Sequence, residues 1–185
     1  LNDAEITVEG RRDGTAIAAA LQSPPTKSRP AGEDLLDRVL VLFGYAREDL
    51  DPRIPPAIAE AGATHLVLAL AERGKLAAMT YDLDAGRGLM NEAGLVTIAL
   101  VQAESERRFH ARNPFASGGV YEDPATGAAA AALAGYLRDL GWPHGGAIDI
   151  LQGDDMGVPS RLKAEIPPEP GSSIRVSGSA RVMGT

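Results

Sequence analysis

The chain has 185 residues, of which 44% are hydrophobic and 4% aromatic, with a net charge of −7 and no cysteine. That length and apolar share exclude a disordered chain, and the scarcity of aromatics means that the core must be assembled from Ala, Leu, Val and Ile. The acidic balance argues against nucleic-acid and anionic-membrane partners, and the absence of cysteine excludes disulfides, thiolate metal sites and thiol nucleophiles within the chain.

Residues 4–9 alternate polar and apolar, and residues 15–21 follow a turn at 10–14, which predicts a β-hairpin. Residues 23–32 hold three prolines and read as a linker or crossover. Two strands alone are marginal. Residues 1–30 are therefore expected to be a remnant hairpin of an N-terminal domain plus its linker, and residues 31–185 the C-terminal domain.

Acidic Glu33 and Asp34 introduce Leu35, Leu36, Val39, Leu40, Leu42 and Phe43 at helical spacing. Residues 51–56, with three prolines, should be extended, and the apolar run 64–70 reads as a buried strand. Short helices are expected over 74–80 and 84–92, then neighbouring strands over 95–102 and 107–112. The strongest helix covers 124–140, and three strands follow at 148–152, 161–166 and 174–177. Strands and helices mix without βαβ regularity, which favours an α+β class with a curved mixed sheet.

From Ala128 to Gly135 every residue is Ala, Leu or Gly. A helix apolar all round belongs inside a protein, and small side chains let surrounding strands approach it closely. The first N–H groups of such a helix lack intrahelical partners and sit at the positive dipole end, which makes a receptor for a carboxylate. Gly127 would permit close approach of a ligand to the backbone. Asp123, just before this cradle, could orient a substrate or handle a proton. Asp123-Pro124 equally fits a cap followed by a proline in the first helical turn, so a capping role stays open.

Gly119-Val120-Tyr121-Glu122-Asp123-Pro124-Ala125-Thr126-Gly127-Ala128-Ala129-Ala130 resembles the G-V-x-E-D-P-A-T-G-[SA]-A-A segment of the PhzF-like family. Gln152-Gly153 with Met156-Gly157-Val158-Pro159-Ser160 is similar to its Q-G-x-x-M-G-R-P-S stretch, and Val176-Ser177-Gly178-Ser179-Ala180 to its V-S-G-x-A strand. The resemblance runs from the first hairpin to the C-terminus. It implies a diaminopimelate-epimerase-like fold, in which two pseudo-symmetric domains each wrap a sheet around a central helix. It also implies cofactor-independent and metal-independent isomerisation or epimerisation of small carboxylate-bearing metabolites. The phenazine-pathway member acts on a dihydro-hydroxyanthranilate.

By this resemblance Asp123 takes the position of the family's catalytic aspartate. Thr126, Gly127, Ala128, Gln152 and Gly153 become the expected substrate-binding positions. The family often has Ser where this chain has Ala128, so a hydroxyl contact is lost while the backbone N–H remains. The glutamate acting as general acid/base near a G-N-P motif, and the histidine of a G-H-P motif, belong to the family's N-terminal half, and neither motif occurs here. The related two-thiol amino-acid epimerases carry cysteine at about the position of Asp123, which disfavours that chemistry.

His65, His110 and His144 have no metal-ligand spacing, Asp154-Asp155 reads first as a solvated turn but could face the cleft or bind a cation, and the pairs Arg11-Arg12 and Arg107-Arg108 read as solvated. The expected function is that of the C-terminal part of a PhzF-like isomerase, inactive without the half that carries the glutamate. Its partners would be a carboxylate-bearing metabolite, the missing N-terminal domain in cis or trans, and a second copy in a homodimer. The alternative is a non-catalytic small-ligand-binding or self-associating module. No apolar run reaches the roughly 18 residues of a membrane span, and a cytoplasmic location is expected.

Overall fold

The computed structural model describes residues 7–13 and 16–181, with side chains over 19–178. One ten-stranded sheet dominates it, in the order β1-β2-β12-β11-β10-β7-β6-β5-β4-β3. The strands are β1 Thr7–Asp13, β2 Ala16–Pro25, β3 Lys27–Pro30, β4 Ala57–Glu60, β5 Thr64–Ala69, β6 Thr97–Ser105, β7 Arg108–Arg112, β10 Ala147–Gln152, β11 Ser160–Glu165 and β12 Ser173–Arg181. Pairs β5–β6 and β7–β10 are parallel and the other neighbours antiparallel, so the sheet is mixed. Its two ends are joined in sequence, because β2 passes into β3 with only Thr26 between them. The sheet is thereby nearly closed around α4, Gly127–Asp139, which touches strands from both ends and the middle.

Small residues on two facing surfaces explain this wrapping. Ala57 and Ala59 of β4, Val67 and Ala69 of β5, and Ala99, Val101 and Ala103 of β6 point toward Ala129–Ala132, Leu133 and Leu137 of α4. Neighbouring strand positions carry the larger side chains: Ile58, Leu66, Leu68, Ile98 and Leu100 point to the opposite face. There they pack beneath α1 Glu33–Phe43, α2 Arg73–Ala77 and α3 Leu83–Glu92. Strand alternation thus buries both faces, which is why the stretches read as continuous apolar runs rather than as alternating ones. The expected α+β class with a central apolar helix holds.

Several local expectations are corrected. The expected turn at 10–14 is strand over its first four residues, since Gly10, Arg11, Arg12 and Asp13 pair with Ala19, Ala18, Ile17 and Ala16. Residues 4–6 and 14–15, and the side chains of Arg11 and Arg12, lie outside the described residues. The proline-rich stretch is not a free linker: β2 runs through Pro24 and Pro25, and β3 pairs with β4 at the sheet's end, where a missing proline N–H leaves no inner partner wanting. Residues 52–54 turn instead of extending, because the Asp51 carboxylate accepts from the Arg53 N–H (3.0 Å) and guanidinium. No described helix is long and apolar enough to cross a membrane.

Candidate active site at the start of the central helix

The small sheet formed by β8 Pro114–Phe115 and β9 Val120–Glu122 delivers the chain to Asp123. The Asp123 N–H donates to the Asn113 carbonyl (3.1 Å) and its carbonyl accepts from Gln152 Nε2 (2.6 Å), so its backbone is held on both sides. Gln152 is 2% exposed at the end of β10. Its Nε2 also donates to Thr126 Oγ1 (3.1 Å), while its Oε1 accepts from the Thr126 N–H (3.2 Å). Thr126 Oγ1 in turn donates to Asp123 Oδ2 (2.6 Å).

This network corrects the helix start and the capping alternative together. Proline disfavours helical backbone in the residue before it, and Thr126 is itself extended (φ −104°, ψ 91°), so α4 begins at Gly127 rather than at Pro124. Asp123 is therefore not the cap. Thr126 holds that position, yet its hydroxyl faces the Asp123 carboxylate and makes no capping bond. The first intrahelical bond is Ala130 N–H to the Thr126 carbonyl (3.0 Å). Among the described residues nothing accepts from the N–H groups of Gly127, Ala128 and Ala129. Three donors at the positive end of a helix thus stand beside a half-buried carboxylate.

A Cβ on Gly127 would lie 2.6 Å from Leu21 Cδ2 of β2, so the missing side chain also makes room for Leu21. Gly153 has φ +79°, and a Cβ on it would lie 2.2 Å from the Val158 carbonyl oxygen and 3.1 Å from that of Pro124. Only glycine lets the turn after β10 close against the loop that carries Asp123. All six expected positions, Asp123, Thr126, Gly127, Ala128, Gln152 and Gly153, are thus brought together at one end of α4.

Sequence reasoning missed the residues beneath this loop. Arg112 and Glu122 form a buried ion pair, their side chains 9% and 2% exposed. Arg112 Nε donates to Glu122 Oε1 (2.9 Å) and Nη2 to Oε2 (2.5 Å), and this bonding holds the guanidinium firmly protonated. Arg112 Nη1 donates to the carbonyls of Ala77 (2.9 Å) and Met79 (3.2 Å) at the end of α2. The available signal was an arginine closing a strand in which Phe109 and Ala111 are apolar. Tyr121 stacks on Tyr81 with ring centroids 4.5 Å apart and accepts the Tyr81 N–H at 2.9 Å.

Asp154 and Asp155 are not merely solvated. Asp154 pairs with Arg161 (3.0 Å), and Asp155 pairs with Arg73 (2.9 Å) at the start of α2. His65 lies far from metal chemistry: it is fully buried, its Nδ1 is 2.7 Å from Thr97 Oγ1, and burial lowers its pKa to about 4. His110 Nε2 lies 2.9 Å from Glu104 Oε2, and among the described residues no group of three His, Asp or Glu side chains could hold a metal ion.

A nearly closed mixed sheet around one apolar helix is the fold this chain shares with solved PhzF-family and proline-racemase structures. The chain belongs to the PhzC-PhzF family: the family model of phenazine biosynthesis-like proteins matches residues 3–184. It is 33% identical over 176 residues to the trans-2,3-dihydro-3-hydroxyanthranilate isomerase of Pseudomonas aeruginosa, covering 91% of this chain and 58% of that protein. The isomerase of the same name from Pseudomonas fluorescens is 31% identical, with 94% and 60% covered. The chain therefore spans about three fifths of the length of these relatives. Among solved structures, a protein described as a predicted epimerase from Pseudomonas aeruginosa superposes with a TM-score of 0.78 at 21% identity, over 99% of this chain and 64% of that one. A PhzF-family protein of Bacillus anthracis gives 0.76 at 16% identity, over 96% and 62%. These two likenesses establish the shared fold.

Proposed function

We propose that the chain is the C-terminal part of a PhzF-like isomerase or epimerase that moves protons on a small carboxylate-bearing metabolite. The observation that carries this reading is the pairing of three unpartnered amides, on Gly127, Ala128 and Ala129, with the Asp123 carboxylate steered by Thr126. The amides receive the substrate carboxylate, and the helix dipole favours its charge. Asp123 stands where a proton can be taken from or returned to the substrate carbon framework. The two isomerases quoted above act, by their names, on trans-2,3-dihydro-3-hydroxyanthranilate, whose carboxylate suits this cradle.

One carboxylate can carry a proton between two positions, but by the family resemblance Asp123 works with a second acid/base. Glu122 is bound to Arg112, and Asp155 to Arg73, so neither is available. The second group is the glutamate that the family resemblance assigns to the N-terminal half, supplied in cis or in trans, and the chain alone is catalytically inert. Exposed Val120, Tyr121 and Val158 flank the site and offer an apolar contact face for that half. Cytoplasmic placement and a homodimeric state belong to the same proposal.

That Asp123 alone is available among the described carboxylates at this helix end also supports a second reading, a carboxylate-binding module without turnover. Assays on trans-2,3-dihydro-3-hydroxyanthranilate separate the two. Under the first reading the chain alone is silent, joining it to a family N-terminal half restores isomerisation, and Asp123→Asn then lowers turnover by about 10²–10⁴-fold. Turnover by the chain alone contradicts the inert half-site. Binding without turnover in the joined protein favours the module.

A further inference from the structure

Asp123 is the residue on which the proposed chemistry depends, yet its loop makes little use of regular structure. β9 is three residues long and pairs only with the two residues of β8. Such a ribbon is marginal by itself. What lies directly behind it is the buried ion pair. Pro114 lies opposite Glu122 and Asn113 opposite Asp123 as successive antiparallel rungs, and the ion pair crosses them diagonally, from the residue before Asn113 to the residue before Asp123.

Arg112 extends these rungs into the helical layer. Its third nitrogen, Nη1, is taken by the carbonyls of Ala77 and Met79, where the negative end of α2 favours a cation. The other end of α2 reaches the opposite rim of the site, since Arg73 donates through Nη2 to both Asp155 oxygens at 2.9 Å. Asp155 lies in the turn that Gly153 begins, the turn packed against Pro124. One short helix therefore ties down both loops that frame the start of α4.

The arginine fork is directional in a way that apolar packing is not. A bidentate guanidinium–carboxylate contact fixes both distance and plane, and the two carbonyls fix the guanidinium from behind. A buried ion pair is a poor source of net stability compared with apolar residues of the same volume. Its presence one residue from Asp123 is better explained by geometry than by stability.

We propose that the Arg112–Glu122 pair, anchored on the end of α2, holds Asp123 in register with the free amides of α4. Arg112 and Glu122 are thus positioning residues for the proton transfer assigned to Asp123. The catalytic part of this inference rests on the proposed isomerase function; the structural part does not.

Residue-resolved amide hydrogen exchange on this chain tests the structural part. Glu122→Gln and Arg112→Lys should each speed exchange at the Asp123 N–H by more than about tenfold, while core amides such as Leu66 and Leu100 change by less than about twofold. If either single variant fails to fold, the double variant Arg112→Met/Glu122→Leu replaces the charges by apolar volume and should fold. It should show the same loosening at Asp123. Wild-type protection of Asp123 in any folded variant, or a rise shared equally by the core, overturns the proposal.

The catalytic part is read in the joined, active protein. Arg112→Lys should lower kcat by about 10–100-fold with KM changed less than about threefold, because the amide cradle is untouched. An unchanged kcat overturns the positioning role even where exchange has risen. If Asp123→Asn itself leaves turnover intact, the catalytic role of Asp123 fails instead, and the exchange result stands independently of it.

Discussion

The hydroxyl of Thr126 donates to Asp123 Oδ2 over 2.6 Å, turning a residue in the cap position of α4 away from the helix it would otherwise cap. A threonine there usually satisfies an N–H of the first turn. Here that first turn is left with free donors, and the carboxylate before it gains a fixed direction. One bond thus prepares both halves of the candidate site.

Replacing Thr126 by Val removes that bond and also an acceptor of Gln152 Nε2, while keeping the side-chain volume. Unfolding in urea should show a loss of about 1–2 kcal/mol, and Thr126→Ser should recover most of it. Equal stability of the Val variant and the native chain would show that the network carries no net energy.

Glycines at two helical positions should respond in opposite directions. At Gly135 of α4 a Cβ would lie 2.6 Å from both Cβ and Oγ1 of Thr26. Thr26 cannot move freely, because its hydroxyl accepts from Arg138 Nη2 at 2.7 Å and donates to the Ser172 carbonyl at 3.2 Å. Overpacking of about 1–3 kcal/mol should outweigh the helix-propensity gain of about 1 kcal/mol, so Gly135→Ala destabilises. Gly88 of α3 has nothing within 4 Å of its Cβ position, and Gly88→Ala should stabilise by about 0.5–1 kcal/mol. Chemical denaturation of the two variants checks both signs.

His65 should make stability fall in acid. Burial lowers its folded pKa to about 4 from the ordinary value of 6.5, so between those values the unfolded chain binds more protons. The stabilisation is complete above pH 6.5 and is lost as the pH falls through about 4. It amounts to something on the order of 3 kcal/mol. Stability of the native chain and of His65→Gln, measured from pH 7 to 4, should differ in slope over that window, with the variant flatter. Parallel curves would mean that His65 does not titrate as its burial implies.

The parts of this fold that were legible in the sequence are those where one local cause decides the outcome. The Ala-rich run of α4 allows a single reading, and the apolar stretch Thr64–Ala69 is a strand because both of its faces are buried. The Asp123–Gly127 and Gln152–Gly153 segments were found through their motifs, and they do meet in space. β4 was missed because Ala57–Glu60 is four residues long and follows two prolines; its strand character comes from β3 and β5 on either side. The start of α4 was displaced because the identity of its cap depends on where the Thr126 hydroxyl points. Arg112 and Glu122 were invisible as a pair, since nothing in the local pattern of either announces a partner ten residues away.

The central claim, that the start of α4 receives a carboxylate, is tested most directly by following backbone amide resonances while the chain is titrated with anthranilate and, separately, with anthranilamide. The N–H groups of Gly127, Ala128 and Ala129, which have no acceptor within the described residues, should shift saturably with the carboxylate and not with the uncharged amide. Shifts confined to other parts of the molecule, or identical responses to both compounds, would contradict a carboxylate cradle at this helix end.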